Sequence, residues 1–272
     1  MVAGATDLYP LDAVRRASWD VRVGRELPLL DVSRLPELRE IRLSPSGLRL
    51  GAAVTFSEIA EAGLPDWCRA LVQAAREVGG RQIQNRATIG GNLCNASPAA
   101  DSAPPLLAFE AEVELASVAG RRRLALSRFL LGNRKTALLP GELLVAIDIP
   151  HPGPGTRSLF SKLGARRHLV ISIVSLAVVL RLEASGRIDR VRLAVGACAP
   201  TAVRLKSLEE ELSGLDVGTA EARIAPARLV ELAPIDDVRA SATYRLEATA
   251  ELLRRALREL AAVARCAGGS DR

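Results

Sequence analysis

Residues 82–101 read QIQNRATIGGNLCNASPAAD, and this stretch decides how the rest of the chain is interpreted. Two adjacent glycines, Gly90 and Gly91, stand between the side-chain donors Thr88 and Asn92. A backbone without Cβ atoms can approach an anion closely, so we expect consecutive free N–H groups to meet phosphate oxygens here. The pattern is neither GxGxxG nor a Walker loop, so it does not indicate a Rossmann or P-loop nucleotide site.

A second loop of the same kind lies at the start of the chain, where residues 2–8 read VAGATDL. Two such loops, about 85 positions apart, suit a dinucleotide with two phosphates better than a mononucleotide. The carboxylate of Asp101 could accept hydrogen bonds from hydroxyl groups of the same ligand. From the residues alone, a simple turn at 88–92 stays open as the alternative.

The composition is that of a globular protein with room for two domains. The chain has 272 residues, of which 49% are hydrophobic and 25% charged, enough for a real core. The net charge of +6 comes from arginines scattered among acids, and only 3% of residues are aromatic, so we predict no nucleic-acid partner. The longest apolar run, 169–180, is too short for a bilayer span, and we predict a cytoplasmic protein without a signal peptide.

The cysteines and histidines argue against metal chemistry in this chain. Four cysteines lie far apart in sequence, and there are two histidines. Zinc and iron–sulfur sites usually need clustered thiolates, so we predict no metal site and no catalytic triad. Cys94, beside the glycine pair, is expected to be a small buried hydrophobe and not a redox thiol.

Periodicity and capping patterns predict the order of the elements. The predicted strands are 47–54, 111–117, 121–126, 142–149, 171–183 and 187–197. The predicted helices begin at 55, 66, 201, 219 and 243, and the last four end at 78, 212, 232 and 264. Residues 81–105 predict a long irregular loop, and the Pro- and Gly-rich segment 151–155 predicts a domain boundary.

Taken together, these motifs resemble the FAD-binding subunit of molybdenum hydroxylases, of the xanthine dehydrogenase and carbon monoxide dehydrogenase medium-chain type. The matching stretches are GATDL at 4–8, ATIGGN and ASPAAD within 87–101, RKTAL at 134–138, PGELL at 140–144, and FSKLGARR at 160–167 followed by IS at 171–172. They cover nearly the whole chain, and their separation makes the resemblance specific.

The resemblance implies an α+β fold. Residues 1–152 would form a vanillyl-alcohol-oxidase-like (PCMH-type) FAD-binding domain of two α/β subdomains. Residues 156–266 would form a smaller α+β domain like the C-terminal domain of the carbon monoxide dehydrogenase flavoprotein. In the family about one helix and one strand precede the first glycine loop, so we expect an N-terminally truncated first subdomain and an under-supported loop. Gly4-Ala5 also replaces the usual Gly-Gly.

The resemblance further implies noncovalent FAD held across both loops. The pyrophosphate would be met from the first loop by Ala3, Gly4, Ala5, Thr6, Asp7 and Leu8. It would be met from the second loop by Thr88, Gly90, Gly91 and Asn92. Asn95 and Asp101 would hold the ribityl and ribose region. Leu144 would pack against the isoalloxazine, and Lys162 would lie near its polar edge. From the residues alone, Leu144 is equally a core residue of a strand, and Lys162 equally a surface lysine.

The implied function is a relay. A molybdopterin subunit would oxidise a small aldehyde or N-heterocycle, and an iron–sulfur subunit would pass the electrons on. The FAD of this chain would deliver them to an acceptor, NAD or another carrier. Two alternatives stay open from the sequence: a flavin-free scaffold subunit of such a complex, and a stand-alone FAD oxidoreductase.

Overall fold

The computed structural model of the protein describes residues 1–7 and 30–268, with side chains as far as residue 264. The strands in this part are β1 (Ile41–Ser44), β2 (Gly47–Gly51), β3 (Glu112–Ser117), β4 (Gly120–Ala125), β5 (Leu130–Gly132), β6 (Lys135–Thr136), β7 (Leu143–Pro150), β8 (Arg157–Leu163), β9 (Val174–Leu182), β10 (Ile188–Gly196) and β11 (Val203–Arg204). The helices are α1 (Phe56–Glu61), α2 (Arg69–Glu77), α3 (Arg81–Gln84), α4 (Ile89–Asn95), α5 (Ala103–Ala108), α6 (Leu126–Phe129), α7 (Lys206–Leu212), α8 (Val217–Arg223) and α9 (Ala242–Gly268). Short 3-10 turns lie at Pro36–Leu38, Asp66–Cys68 and Pro226–Arg228.

The first sheet has the order β1-β2-β7-β3-β4, with antiparallel neighbours throughout. Alternate side chains of each strand point to the same face of the sheet. On the inner face these side chains are apolar. Leu48 pairs with Ile149 across β2 and β7, and both lie in the core. On the outer face the matching pair is charged: the Arg49 guanidinium lies 2.7 Å from an Asp148 carboxylate oxygen.

The second sheet has the order β11-β10-β9-β8 and is covered on both faces. Strand β9 is almost wholly buried, as its continuous apolar sequence requires. Val178 packs in the cluster that contains Leu253 of α9, whereas Val179 packs in the core of the first sheet and its helices. The two halves of the chain therefore share a hydrophobic core.

Residues 151–155 connect β7 to β8, at the place where the sequence predicted a domain boundary. Hydrogen bonds cross between the halves on either side of it. The Ser158 hydroxyl donates to the Trp67 carbonyl oxygen at 2.7 Å, and the Ala197 N–H donates to the Pro98 carbonyl oxygen at 2.9 Å. The second sheet is thus fastened to the helices that carry the glycine pair.

Several elements match their sequence signals. The capping box at Thr55 forms in full, because the Thr55 hydroxyl accepts from the Glu58 N–H and the Glu58 carboxylate accepts from the Thr55 N–H. The hairpin of β3 and β4 turns before Gly120, whose φ of 136° favours glycine. The amphipathic helix predicted at 243–264 is α9, packed on β8 and β9. None of the helices in the described residues is long and apolar enough to cross a membrane.

The long irregular loop predicted at 81–105 is wrong, because the structure forms α3, α4 and the start of α5 there. Glycine, asparagine and proline suggested a loop, but each is compatible with a helix end. Thr88 is the N-cap of α4, and Pro104 lies in the first turn of α5, where a helix needs no N–H donor.

Two further predicted boundaries were wrong. The helix predicted at 219–232 begins earlier and ends at Arg223 as α8, because Ala225 precedes Pro226 and is extended. The helix predicted from 201 begins at Lys206, since residues 203–204 pair with β10 as β11. Strand β8 was not predicted from the sequence at all, although it carries Lys162.

Candidate functional site

The first loop is anchored within the chain. The Val2 N–H donates to the Leu30 carbonyl oxygen at 2.8 Å, and the Val32 N–H donates to the Val2 carbonyl oxygen at 2.9 Å, which makes a parallel bridge. Ala3 packs against the small apolar cluster that contains Val32. The expectation of an under-supported first loop is therefore wrong. Leu8, the last residue assigned to this loop from the sequence, lies outside the described residues.

Ala5 is the strained position of the first loop. Its φ is 57°, in the left-handed region that favours glycine. This is the residue at which Ala replaces the glycine of the family pattern, so the backbone keeps the turn although the side chain opposes it. Turns of this kind can direct successive N–H groups toward one anion. Thr6 follows it, partly buried, and Asp7 is exposed.

Gly4 brings the two loops into direct contact. A Cβ built on Gly4 would lie 2.0 Å from the Arg86 carbonyl oxygen and 3.0 Å from the Ala87 Cα. Real Cβ atoms do not approach a backbone so closely, so only glycine permits this packing. The two loops, distant in sequence, thus meet backbone to backbone immediately before Thr88.

The backbone donors of the second loop are not free. The Ile89 N–H donates to the Val54 carbonyl oxygen and the Gly90 N–H to the Ala52 carbonyl oxygen, each at 2.9 Å. The next two N–H groups, of Gly91 and Asn92, donate to the hydroxyl and carbonyl oxygens of Thr88 at 3.1 and 2.9 Å. The expectation of consecutive free N–H groups here is wrong, because helix α4 and the neighbouring strand end use them.

The two adjacent glycines serve different purposes. A Cβ on Gly90 would lie 2.6 Å from both the Cβ and the carbonyl oxygen of Ala52, so Gly90 lets α4 pack against the end of β2. A Cβ on Gly91 would meet only the Thr88 hydroxyl oxygen within 4 Å, at 2.9 Å. Gly91 therefore presents its bare Cα to open space, and it is the glycine of the pair that can lie against a ligand.

Asn92 and Asn95 lie on α4 and are both held by side-chain hydrogen bonds. The Asn92 amide oxygen accepts from the Ser102 hydroxyl at 2.6 Å. The Asn95 amide oxygen accepts from the Arg134 guanidinium at 3.4 Å, and Arg134 is on the hairpin of β5 and β6. This hairpin therefore borders the same end of α4.

Asp101 and Lys162, assigned to one cofactor from separate motifs, form a buried ion pair. The Lys162 ammonium lies 2.6 Å from one Asp101 carboxylate oxygen, and each side chain is 8% exposed. The Ser172 hydroxyl donates to the other carboxylate oxygen at 2.7 Å, and Lys162 also donates to the Glu77 carbonyl oxygen at 3.2 Å. Burial raises the pKa of the Asp101 carboxyl, and the Lys162 ammonium opposes that rise.

Leu144 is a core residue in this structure. It is 2% exposed, pairs with Leu115 across β3 and β7, and belongs to the main hydrophobic cluster. Its contact with an isoalloxazine ring stays a prediction.

Two cysteines of the described residues, Cys68 and Cys94, are thiols whose pKa is raised by burial. Cys94 packs partly buried against the main core, and burial raises the pKa of its thiol to about 11. Burial raises the pKa of the Cys68 thiol to about 12. Within the described residues there is no group of three or more His, Cys, Asp or Glu side chains placed to hold a metal ion.

Sequence reasoning missed residues that hold the site together. Ser172 was quoted within a matching stretch, but no role was assigned to it from the sequence. Glu142 lies inside the PGELL stretch without an assigned role. Its carboxylate binds the Arg122 guanidinium through two hydrogen bonds of 2.7 and 2.8 Å and accepts from the Leu139 N–H. These hydrogen bonds connect the segment before β7 to Arg122 of β4, and they lower the pKa of the Glu142 carboxyl to about 2.

Two small-residue loops that meet backbone to backbone at Gly4 give this α+β protein a candidate site for an extended cofactor. Comparison with known proteins identifies the cofactor. Residues 1–152 match the model of the FAD binding domain in molybdopterin dehydrogenase, and residues 160–260 match that of the CO dehydrogenase flavoprotein C-terminal domain. The chain therefore belongs to the family of FAD-binding subunits of molybdenum-dependent dehydrogenases. It is an oxidoreductase subunit whose cofactor is FAD.

Individual relatives agree over most of the chain. The xanthine dehydrogenase FAD-binding subunit of Escherichia coli O157:H7 is 35% identical over 241 residues, which cover 87% of this chain and 82% of that protein. The carbon monoxide dehydrogenase medium chain of Hydrogenophaga pseudoflava is 32% identical over 274 residues, covering 98% and 90%. The solved structure of quinoline 2-oxidoreductase from Pseudomonas putida 86 superimposes with a TM-score of 0.82 at 28% identity, covering 97% of this chain and 89% of that one.

The geometry fits FAD. Gly4 of the first loop packs against Arg86 and Ala87, and we call this contact between the two loops the seam. The bare Cα of Gly91, further along the second loop, faces open space. The Asp101–Lys162 ion pair is connected to α4, because Ser102, next to Asp101, donates to the Asn92 amide oxygen. Since the N–H groups of residues 89–92 are already used, the first loop, Ala3 to Asp7, is the segment from which we expect backbone donors to the pyrophosphate.

Proposed function

We propose that this chain holds noncovalent FAD between the first loop, residues 3–8, and the second loop, residues 88–92. In a complex with an iron–sulfur subunit and a molybdopterin subunit, it passes electrons from the iron–sulfur clusters to an external acceptor such as NAD. When bound, FAD supplies the redox chemistry, and the protein binds and orients it. The packing of Gly4 against Arg86 and Ala87 carries the proposal, because it explains how two distant motifs serve one cofactor.

The placement of each residue supports the role that we propose for it. Ala3 to Asp7 meet the pyrophosphate from one side, and Gly91 lets it lie close to the start of α4 from the other. Asn95 and Asp101 are on the path from α4 to α5 and hold the ribityl and ribose region. Lys162 holds Asp101 in place and presents its remaining N–H toward the polar edge of the flavin.

The relay is supported by the names of several relatives. The relatives' names include subunits of multi-subunit enzymes, such as a carbon monoxide dehydrogenase medium chain and a complex subunit alpha. We propose the same organisation here, in the cytoplasm, with the FAD-binding domain at 1–152 in the vanillyl-alcohol-oxidase-like arrangement of two subdomains and the C-terminal domain at 156–266.

Native purification from the source organism tests the proposal. We expect this chain to co-purify with an iron–sulfur subunit and a molybdopterin subunit, and to carry one FAD that denaturation releases. A complex of the same subunits without flavin would support the scaffold alternative. A lone polypeptide that turns over an organic substrate with its own FAD would support the stand-alone enzyme.

A further inference from the structure

The loop between β8 and β9, residues 164–172, is held in one shape. Its ends are joined because the Ile173 N–H donates to the Leu163 carbonyl oxygen at 2.8 Å. Within it, the Arg166 guanidinium donates to the Leu169 carbonyl oxygen, with its Nε at 3.1 Å. Leu169 has a φ of 55°, which a leucine adopts only when its surroundings impose it. This backbone turns the Leu169 side chain outward, where it is 59% exposed.

Leu169 belongs to an exposed apolar group. Ile83 and Ile171 are 40% and 54% exposed, and we call these three side chains the Leu169 patch. The paired glycines after α2 lie against two members of the patch: a Cβ on Gly80 would lie 2.7 Å from a Leu169 methyl carbon, and one on Gly79 would lie 2.9 Å from the Ile83 Cβ. Ile171 follows Leu169 by two positions in the chain. Scattered exposed leucines are ordinary, but apolar side chains gathered in this way mark an interaction surface.

Arginines lie on one side of the loop that carries Leu169. Arg76 of α2 and Arg166 and Arg167 of the loop line a cleft of about 610 Å³ next to it, and all three are exposed. In the described part of the chain none of them forms an ion pair, and Glu77 is the one acidic residue among the described residues that line the cleft. An apolar centre with a cationic rim is the pattern of a protein-binding surface whose partner is acidic.

The Leu169 patch adjoins the residues assigned to the flavin. Ser172 follows Ile171 and donates to Asp101, and Lys162 lines the same cleft while paired with Asp101. A protein bound on this patch would therefore lie beside the cofactor. Electron transfer between two proteins requires such proximity. A second copy of this chain is a poor occupant, because an isologous contact would set the same arginines against each other.

We propose that the Leu169 patch and its arginine rim form the docking surface for the iron–sulfur partner subunit, through an acidic face of that subunit. The inference rests on the proposed function, since it assigns the donor side of the relay. The apolar centre supplies most of the contact energy, and the rim guides and orients the approach.

The test uses the complete complex, made by co-expressing the full-length subunits. The charge variant is Arg76→Glu with Arg167→Glu, which leaves the hydrogen bond from Arg166 to the Leu169 carbonyl oxygen intact. The apolar variant is Leu169→Asn, because asparagine tolerates the left-handed backbone and should not disturb the loop. The matched control is Arg190→Glu with Arg223→Glu, two exposed arginines outside the ion pairs of the described residues. Dissociation of the complex on dilution is followed by mass photometry, with FAD content and melting temperature measured in parallel.

We expect the charge variant to raise the dissociation constant at least tenfold at low salt, with a smaller effect at high salt. The Leu169→Asn variant should raise it at least tenfold at both salt concentrations, and the control should change it less than threefold. FAD-loaded variants that hold the iron–sulfur subunit as tightly as the wild type would overturn this docking surface and leave the proposed function standing. The docking surface would also be overturned if the variants lost self-association, or binding to anionic vesicles, while the complex stayed intact. A wild-type complex without FAD that shows the same variant sensitivities would overturn the proposed function and keep the docking surface.

Discussion

Substitution of Gly4 by alanine perturbs the contact between the two loops and little else. The added Cβ would lie 2.0 Å from the Arg86 carbonyl oxygen, whereas ordinary van der Waals contact begins at 3.4 Å. The loops must therefore separate by about 1.4 Å, since neither contact partner is a flexible side chain. Overpacking of this kind costs roughly 1–3 kcal/mol. If it destabilises the FAD-bound state by this amount relative to the free protein, the affinity for FAD falls between about 5-fold and 150-fold.

The assay is the dissociation constant for FAD, measured by quenching of flavin fluorescence on titration into the apoprotein. Gly132→Ala is the matched control, because its Cβ would have no contact closer than 4.0 Å. Gly47→Ala is the second control: its Cβ would meet the Ile149 carbonyl oxygen at 2.0 Å, away from the loops, so it should lower the melting temperature with little effect on FAD affinity. If Gly4→Ala binds FAD as tightly as the wild type and melts at the same temperature, the seam between the loops does not form the site.

Three further predictions concern single residues around the seam. Ala5→Gly should stabilise the protein by about 1 kcal/mol, because it relieves the left-handed backbone at φ 57°; an unchanged melting temperature would count against that conformation. Thr88→Ala should cost about 1 kcal/mol of stability through loss of the N-cap of α4, measured by denaturant unfolding, and no loss would mean that the Gly91 N–H finds another acceptor. Glu142, whose pKa is about 2 in the folded protein against 4.5 unperturbed, stabilises the protein fully above pH 4.5 and loses that contribution as the pH falls toward 2. The stability difference between wild type and Glu142→Gln should therefore shrink over this window, and a constant difference would show that Arg122 does not hold the carboxylate.

The sequence identifies the two loops but not the contacts that they make. The glycine pair at 90–91 and the small residues at 2–7 identify the two loops, because missing side chains are visible in a sequence. Their contact is not visible, since it depends on Gly4 meeting the Arg86 backbone after the whole first half has folded. The use of the Ile89 and Gly90 N–H groups by Val54 and Ala52 is likewise a consequence of tertiary packing.

The same distinction holds for the charged residues. Asp101 and Lys162 each carry a recognisable motif, yet their ion pair joins elements 61 positions apart and depends on β8, which the sequence pattern did not predict. Residues 81–105 were misassigned because glycine and proline are typical of loops but also occur at helix ends. The strongly periodic helix α9 needed no such context, and its position was predicted within a few residues.

The relay of electrons through FAD held at the seam is tested by the flavin absorbance of the intact complex. Organic substrate is added without oxygen to the complex purified from the source organism, and separately to this chain alone loaded with FAD. We expect the flavin to bleach in the complex and to stay oxidised in the isolated chain. Bleaching of the isolated chain by the same substrate, or an oxidised flavin in a complex whose iron–sulfur clusters have become reduced, would contradict it.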